Sequence, residues 1–150
     1  MMLFNNQPID NKEYSEDILN HGLSIYEVCR VFRGNVIFLN DNLLRLDNSI
    51  KKSGLDIDLT TLRMEEKLKR LIELEHIKEG NIKYVLHVSP TGIDEYVYQI
   101  KHSYPREEDY QHGVDTVTCR AMRENAEVKY INSGLREMTN KIIGEQGVHE

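Results

Sequence analysis

The stretch LSIYEVCRVF, residues 23–32, is dense in β-branched and aromatic side chains, and RGN then interrupts it before VIFLN at 36–40. That succession predicts a strand, a tight turn and a returning strand. A hairpin belongs to an antiparallel sheet, whose apolar face must be covered by something. The cover follows at once. DNLLRLDNSIKKSG predicts a helix capped by Asp41, with Leu43, Leu46 and Ile50 on one face and Gly54 as its stop. LTTLRMEEKLKRLIELEHIKEG predicts one longer amphipathic helix, tested at Leu68, Leu71, Ile72 and Glu75 and ended by Gly80. NIKYVLHVS and EYVYQIKH predict two more strands around the turn PTGID, and LFNNQPID a short strand and turn at the start. Residues 1–105 therefore read as an α+β domain, an antiparallel sheet packed on two helices.

Beyond that point the pattern changes. SYPREEDYQHG has a linker's composition, which places a linker at 106–113. VDTVTCRAM predicts a further strand. SGLREMTNKIIGEQG predicts a helix with Ser133 as N-cap, Leu135, Met138 and Ile142 on one face, and Gly147 just past its end. One strand and one helix cannot bury both faces of either. Residues 114–150 thus read as the opening of a second, incomplete domain.

Composition excludes several classes. Among 150 residues, 39% are hydrophobic and 29% charged, the balance of a globular chain rather than a disordered one. A formal charge of −6 without a basic run argues against nucleic acid or an anionic membrane as the main partner. No apolar run approaches membrane-spanning length, and no leader of the usual form precedes NNQPID. Cys29 and Cys119 form neither a CxxC nor a zinc pattern, which suits reduced thiols in the cytoplasm. The six histidines make no HxxxH or HExxH pair, so no metal site is expected. GxSxG, GxGxxG and Walker motifs are absent.

Two basic residues draw attention. Arg45, between leucines in NLLRLDNS, either snorkels beside Asp41 or Asp47 or offers a planar, permanently charged fork to a phosphate. Lys129 lies just before a helix start and three residues ahead of Asn132; it is either an ordinary solvated lysine or a reactive amine.

The segments that hold these residues resemble, in the right order, the class IV (fold type IV) pyridoxal-phosphate enzymes, which include branched-chain and D-amino-acid aminotransferases and aminodeoxychorismate lyases. The N-terminal likeness rests on Gly22, Tyr26-Glu27, Gly34, Phe38, Arg45-Leu46 and Ser49. The C-terminal likeness rests on VKYINSGLREMTNKIIGEQGVHE, similar to the family's Lys-x-x-Asn, helix, glycine and glutamate. The resemblance implies that Lys129 forms the Schiff base with pyridoxal 5′-phosphate, that Arg45 grips the cofactor phosphate, and that Tyr26 faces the substrate. It implies amino-group transfer between an amino acid and a 2-oxo acid, with pyruvate elimination from aminodeoxychorismate as the alternative, and a homodimer. A non-catalytic dimerising module that keeps the fold alone is the reading from another class. This chain also departs from the pattern. Asn42 stands where the family usually has histidine, and Val88-Ser89 where several members carry Arg-Gly. The family's acidic partner for the pyridine nitrogen lies in a C-terminal half with no counterpart in these residues.

Overall fold

The computed structural model describes residues 1–101, 104–122, 126–131 and 133–149, with the side chains of Glu13, Asn20 and Ser133 outside the description. The chain resolves into two compact units. One comprises Met1–His102 with Glu127–Ile131, the other Ser103–Ala126 with Asn132–Glu150.

The first unit is α+β, as its patterning predicts. Six antiparallel strands, β1 (Met2–Phe4), β2 (Gln7–Ile9), β3 (Leu23–Phe32), β4 (Asn35–Val36), β5 (Glu79–Ser89) and β6 (Gly92–Ile100), lie in the order β2-β1-β6-β5-β3-β4. The turns explain the register. Asn5 and Asn6 both take positive φ between β1 and β2, as do Arg33 and Gly34 between β3 and β4, the backbone that two-residue hairpins require. β5 pairs with β3 along its length, from Leu23↔Val88 to Phe32↔Glu79, and with β6 from Asn81↔Ile100 to Ser89↔Gly92. Gly22 leads into β3 at φ +106°, where an added Cβ would meet the Val88 carbonyl oxygen at 2.5 Å, so only glycine lets the two strands approach.

Helices cover one face. α1 (Leu39–Lys52) and α3 (Met64–Glu75), with the single turn α2 (Leu59–Leu62), bury Leu46, Ile50, Leu68 and Leu71 against Ile25, Val31, Ile82 and Leu86 of the sheet. Truncating one of these leucines to alanine costs about 2–5 kcal/mol. The other face carries a smaller cluster of Met2, Leu19, Val85, Tyr96 and Tyr98, with Tyr14 and Tyr26 packed against it. Phe4, Tyr14 and Tyr96 meet there in tilted ring pairs.

Several predicted boundaries move. The helix expected to start at an Asp41 cap begins at Leu39 instead, with Phe38 as N-cap in the left-handed region and no side-chain cap bond. Asp41 falls in the first turn, where its charge still complements the helix dipole. Of VIFLN only Val36 joins a strand, Asn35–Val36, because the chain turns into α1 almost at once. The single long helix is two, broken where Arg63 takes φ 47°. The second ends at Glu75, with His76 left-handed after it, so Gly80 belongs to β5 rather than to a helix stop.

In the second unit, α4 (Glu107–His112) is capped by Asp109, whose carboxylate accepts the Arg106 backbone N–H at 2.7 Å. α5 (Ser133–Gln146) ends before Gly147 at φ +65°. The predicted N-cap interaction of Ser133 lies outside the described residues. VDTVTCRAM forms no strand among the described residues. The His149 N–H donates to the Asp115 carbonyl at 2.9 Å, but residues 114–122 join no ladder, and one such bond does not hold an extended segment as a strand.

Candidate active site

Tyr26 and Glu27 are neighbours on β3, so the pleat sends them to opposite faces of the sheet. Glu27 lands on the helix-covered face between Ile25 and Cys29, where its carboxylate is fully buried. A carboxylate in that position needs donors, and α1 brings two of them. Asn42 and Arg45, three residues apart, share the helix face above Glu27. Arg45 binds it bidentately, Nε to Oε1 at 2.8 Å and Nη2 to Oε2 at 2.5 Å, and Asn42 Nδ2 donates to Oε2 at 3.0 Å.

The third donor arrives from far along the chain. Residues 128–131 run beside the first part of β3. Tyr26 N–H donates to the Lys129 carbonyl at 2.9 Å, Ile131 N–H donates to the Ser24 carbonyl at 2.8 Å, and Ile25 and Tyr130 form an antiparallel bridge. Ser49 Oγ, one turn beyond Arg45, accepts the Lys129 backbone N–H at 3.2 Å. These bonds carry Lys129 Nζ to 3.4 Å from Glu27 Oε2, across 102 positions of sequence. The same Nζ lies 5.2 Å from the centroid of the Tyr26 ring.

The electrostatics follow from this packing. Burial pushes the Lys129 ammonium below its ordinary pKa and the Arg45 charge pushes the same way, while Glu27 opposes both. The hydrogen bond to Glu27 holds Arg45 above its ordinary value. Desolvation pushes the Cys29 thiol up to about 12, with Glu27 adding to the effect.

All three residues singled out from the sequence thus converge. Arg45 and Lys129 contact one oxygen atom of Glu27, and Tyr26 sits against the lysine. Arg45 pairs with neither Asp41 nor Asp47, since Asp47 binds Lys51. Sequence reasoning misses Glu27 as a member of the site. Its signal is there in the Tyr-Glu pair, because a glutamate in a run of β-branched residues marks a buried carboxylate that must recruit cations. Asn42, which reads from the sequence only as a departure, is the neutral donor that helps satisfy it. Also unforeseen is a second polar group on the opposite face. Lys83 Nζ lies 3.2 Å from Glu16 Oε1, and Tyr98 Oη donates to that oxygen at 2.6 Å. Among the described residues no group of three or more His, Cys, Asp or Glu could hold a metal, and no helix is long and apolar enough to cross a membrane.

Comparison with known proteins bears on the family and the fold. The family model described as amino-transferase class IV matches residues 24–150. A D-alanine aminotransferase from Bacillus licheniformis is 24% identical over 139 residues, covering 81% of this chain and 48% of its own length. Among solved structures, a candidate 4-amino-4-deoxychorismate lyase from Legionella pneumophila superposes with a TM-score of 0.68 at 19% identity, over 89% of this chain and 52% of that one. A branched-chain amino acid aminotransferase from Escherichia coli gives a TM-score of 0.63 at 16% identity, over 86% and 50%. The chain spans about half the length of the relatives it matches.

Proposed function

The chain belongs to the class IV aminotransferase family, and from that premise we propose that Lys129 is the amine that carries pyridoxal 5′-phosphate, in an enzyme moving an amino group between an amino acid and a 2-oxo acid. Arg45 is the group that grips the cofactor phosphate, and Tyr26 faces the substrate.

The residues present suit such a cofactor. A phosphate monoester is best met by a planar cation with N–H groups to spare, and the Arg45 side chain remains half exposed after binding Glu27. An aldehyde needs an amine that can shed its proton, and Lys129 is half-buried with its pKa lowered. When bound, the cofactor supplies an electrophilic carbon and a ring that withdraws electrons from the substrate.

The protein's own groups do the rest. Desolvation favours the neutral, nucleophilic form of Lys129 Nζ, while Glu27 Oε2 offers a counter-charge whenever that nitrogen holds a proton. Nζ is thus able to take up a proton and return it beside the reacting carbon. Glu27 also holds the Arg45 fork by two bonds, which orients the outward N–H groups without using them all. The Tyr26 ring shields one side of the amine. The observation that carries the reading is the single buried oxygen, Glu27 Oε2, shared by the two cations.

The test is chemical. After incubation with pyridoxal 5′-phosphate, borohydride should fix the cofactor on the peptide containing Lys129, and Lys129→Ala should remove both the label and any transamination. A label spread over exposed lysines such as Lys51 and Lys69 overturns the assignment. Arg45→Ala should weaken cofactor binding by about 1.5–3 kcal/mol, the scale of a charged hydrogen bond. A lyase of the same family uses the same lysine, and measuring amino transfer against pyruvate release separates the two activities.

A further inference from the structure

On the face of the sheet opposite Glu27, a lysine is held among aromatic rings. Lys83 sits on β5 with Val28 of β3 and Tyr98 of β6 as its cross-strand partners. Its side chain is only 15% exposed. Nζ lies 5.4 Å from the Tyr26 ring centroid and 5.6 Å from that of Tyr98. The Tyr98 hydroxyl accepts from Tyr14 Oη at 3.4 Å and donates onward at 2.6 Å. Both donors, ammonium and phenol, converge on one atom, Glu16 Oε1.

The two sides of this contact differ in kind. Lys83 and Tyr98 stand directly opposite each other on β5 and β6, which pair continuously from Asn81↔Ile100 to Ser89↔Gly92, and that register fixes them. Glu16 is the first residue of a single 3₁₀ turn, Glu16–Asn20, and its side chain is 61% exposed. A preorganised pair of donors holds a carboxylate whose own side chain is exposed and can swing away, while the turn behind it stays anchored by the buried Leu19, whose carbonyl accepts from Ser24 Oγ at 2.9 Å. The position is also telling, because the Tyr26 ring beside Lys83 is the ring beside Lys129 Nζ, 5.2 Å from its centroid.

We propose that Lys83 and Tyr98 form a binding subsite for a substrate carboxylate, and that Glu16 occupies it in the free protein as an internal stand-in that the substrate displaces. Tyr14 supports the site by orienting the Tyr98 hydroxyl. The inference rests on the function proposed above only for calling the ligand a substrate; the carboxylate chemistry stands on its own. The subsite accepts either the carboxylate next to the reacting carbon or a distal one, and two probes tell these apart.

Propionate and glutarate, which carry no amino or keto group, are titrated into cofactor-free protein at constant ionic strength, with binding followed by calorimetry. Glu16→Ala is expected to strengthen binding about tenfold, the gain when an internal competitor fills a site nine-tenths of the time. Tyr98→Phe should weaken it. Lys83→Met introduced into Glu16→Ala should abolish it while circular dichroism shows the fold intact. Tighter glutarate than propionate assigns the subsite to a distal carboxylate, and equal affinity to the proximal one. Unchanged affinity in Glu16→Ala, or retained affinity after Lys83→Met, overturns the proposal. Failure of borohydride labelling at Lys129 with probe binding intact would sink the function and leave the subsite standing; the reverse pattern would do the opposite.

Discussion

Glu27 decides what Lys129 and Arg45 are able to do, because it is the only anion both touch among the described contacts. Replacing it with glutamine keeps the shape and removes the charge. Two cations then face each other, which costs stability, though Arg45 is half exposed and solvent tempers the loss to about 2 kcal/mol. The same change takes away the influence that raises the Lys129 pKa, leaving burial and Arg45 to depress it further. A lysine with a depressed pKa is neutral over a wider range on the alkaline side. Pulsed acetylation read by mass spectrometry should therefore show Lys129 reacting at lower pH in the native protein than in the urea-unfolded chain, and lower still in Glu27→Gln. Identical profiles in native and unfolded protein would refute this. The thiols give a simpler check. Cys29 is buried, with its pKa pushed up to about 12, whereas Cys119 is exposed. One thiol should titrate with a disulfide reagent in the native state, and the second only on unfolding. At this scale the resemblance to the class IV enzymes, rather than residue type, singled out Arg45, Lys129 and Tyr26, and the structure brings the three together. Glu27 was not, because its burial exists only once α1 lies across β3.

Elements were legible where a local pattern decides them and blurred where packing does. The β3–β5–β6 sheet is written in β-branched runs and turn residues. The break at Arg63 is not, since nothing in LTTLRMEEKLK forbids a continuous helix, and a left-handed arginine costs about 1–2 kcal/mol that packing on both sides must offset. Arg63 pairs with Glu66, an exposed contact that contributes little. α3 is held to the sheet by a less visible device. Lys67 Nζ donates to both oxygens of Glu95 on β6 at 2.6 Å, and Tyr84 Oη of β5 donates to the same carboxylate at 2.5 Å. The Lys67 and Glu95 side chains are 10% and 16% exposed, so this pair is nearly out of water. Lys67→Ala should strand the Glu95 charge and cost about 3–5 kcal/mol in urea unfolding, while Lys67→Met combined with Glu95→Gln should recover much of it. A single mutant within about 1 kcal/mol of the parent would show that α3 is fastened by its leucines alone.

For the molecule as a whole, the telling feature is that the chain leaves the sheet after β6 and returns to it. Glu127–Ile131 belongs with Met1–His102 by its contacts, although the part of the other unit from Ser103 to Ala126 intervenes in sequence. Composition and local periodicity carry no information about such a return; only the resemblance around Lys129 hinted that the segment mattered. A homodimer is proposed from the family relationship, and sedimentation velocity giving a clean monomer at high concentration would count against it. The return itself admits a sharper experiment. Two backbone bonds, Tyr26 N–H to Lys129 O and Ile131 N–H to Ser24 O, dock the segment on β3, and Lys52 adds an exposed pairing with Glu127 at 2.7 Å. Ile131→Pro deletes one of the two donors, and it leaves Tyr130 in the extended backbone that a residue before proline prefers. The six strands keep all their own ladder bonds, because Ile131 belongs to none of them. Far-UV circular dichroism should therefore be unchanged, and the stability loss should be about 1 kcal/mol, that of one hydrogen bond. Lys129 loses part of its anchor, so the native advantage in low-pH acetylation should shrink towards the unfolded profile and borohydride labelling with pyridoxal 5′-phosphate should fall severalfold. If Ile131→Pro labels as well as the parent, the lysine is positioned by Glu27 and Ser49 alone, and the strand-like docking of the returning segment is incidental to the site.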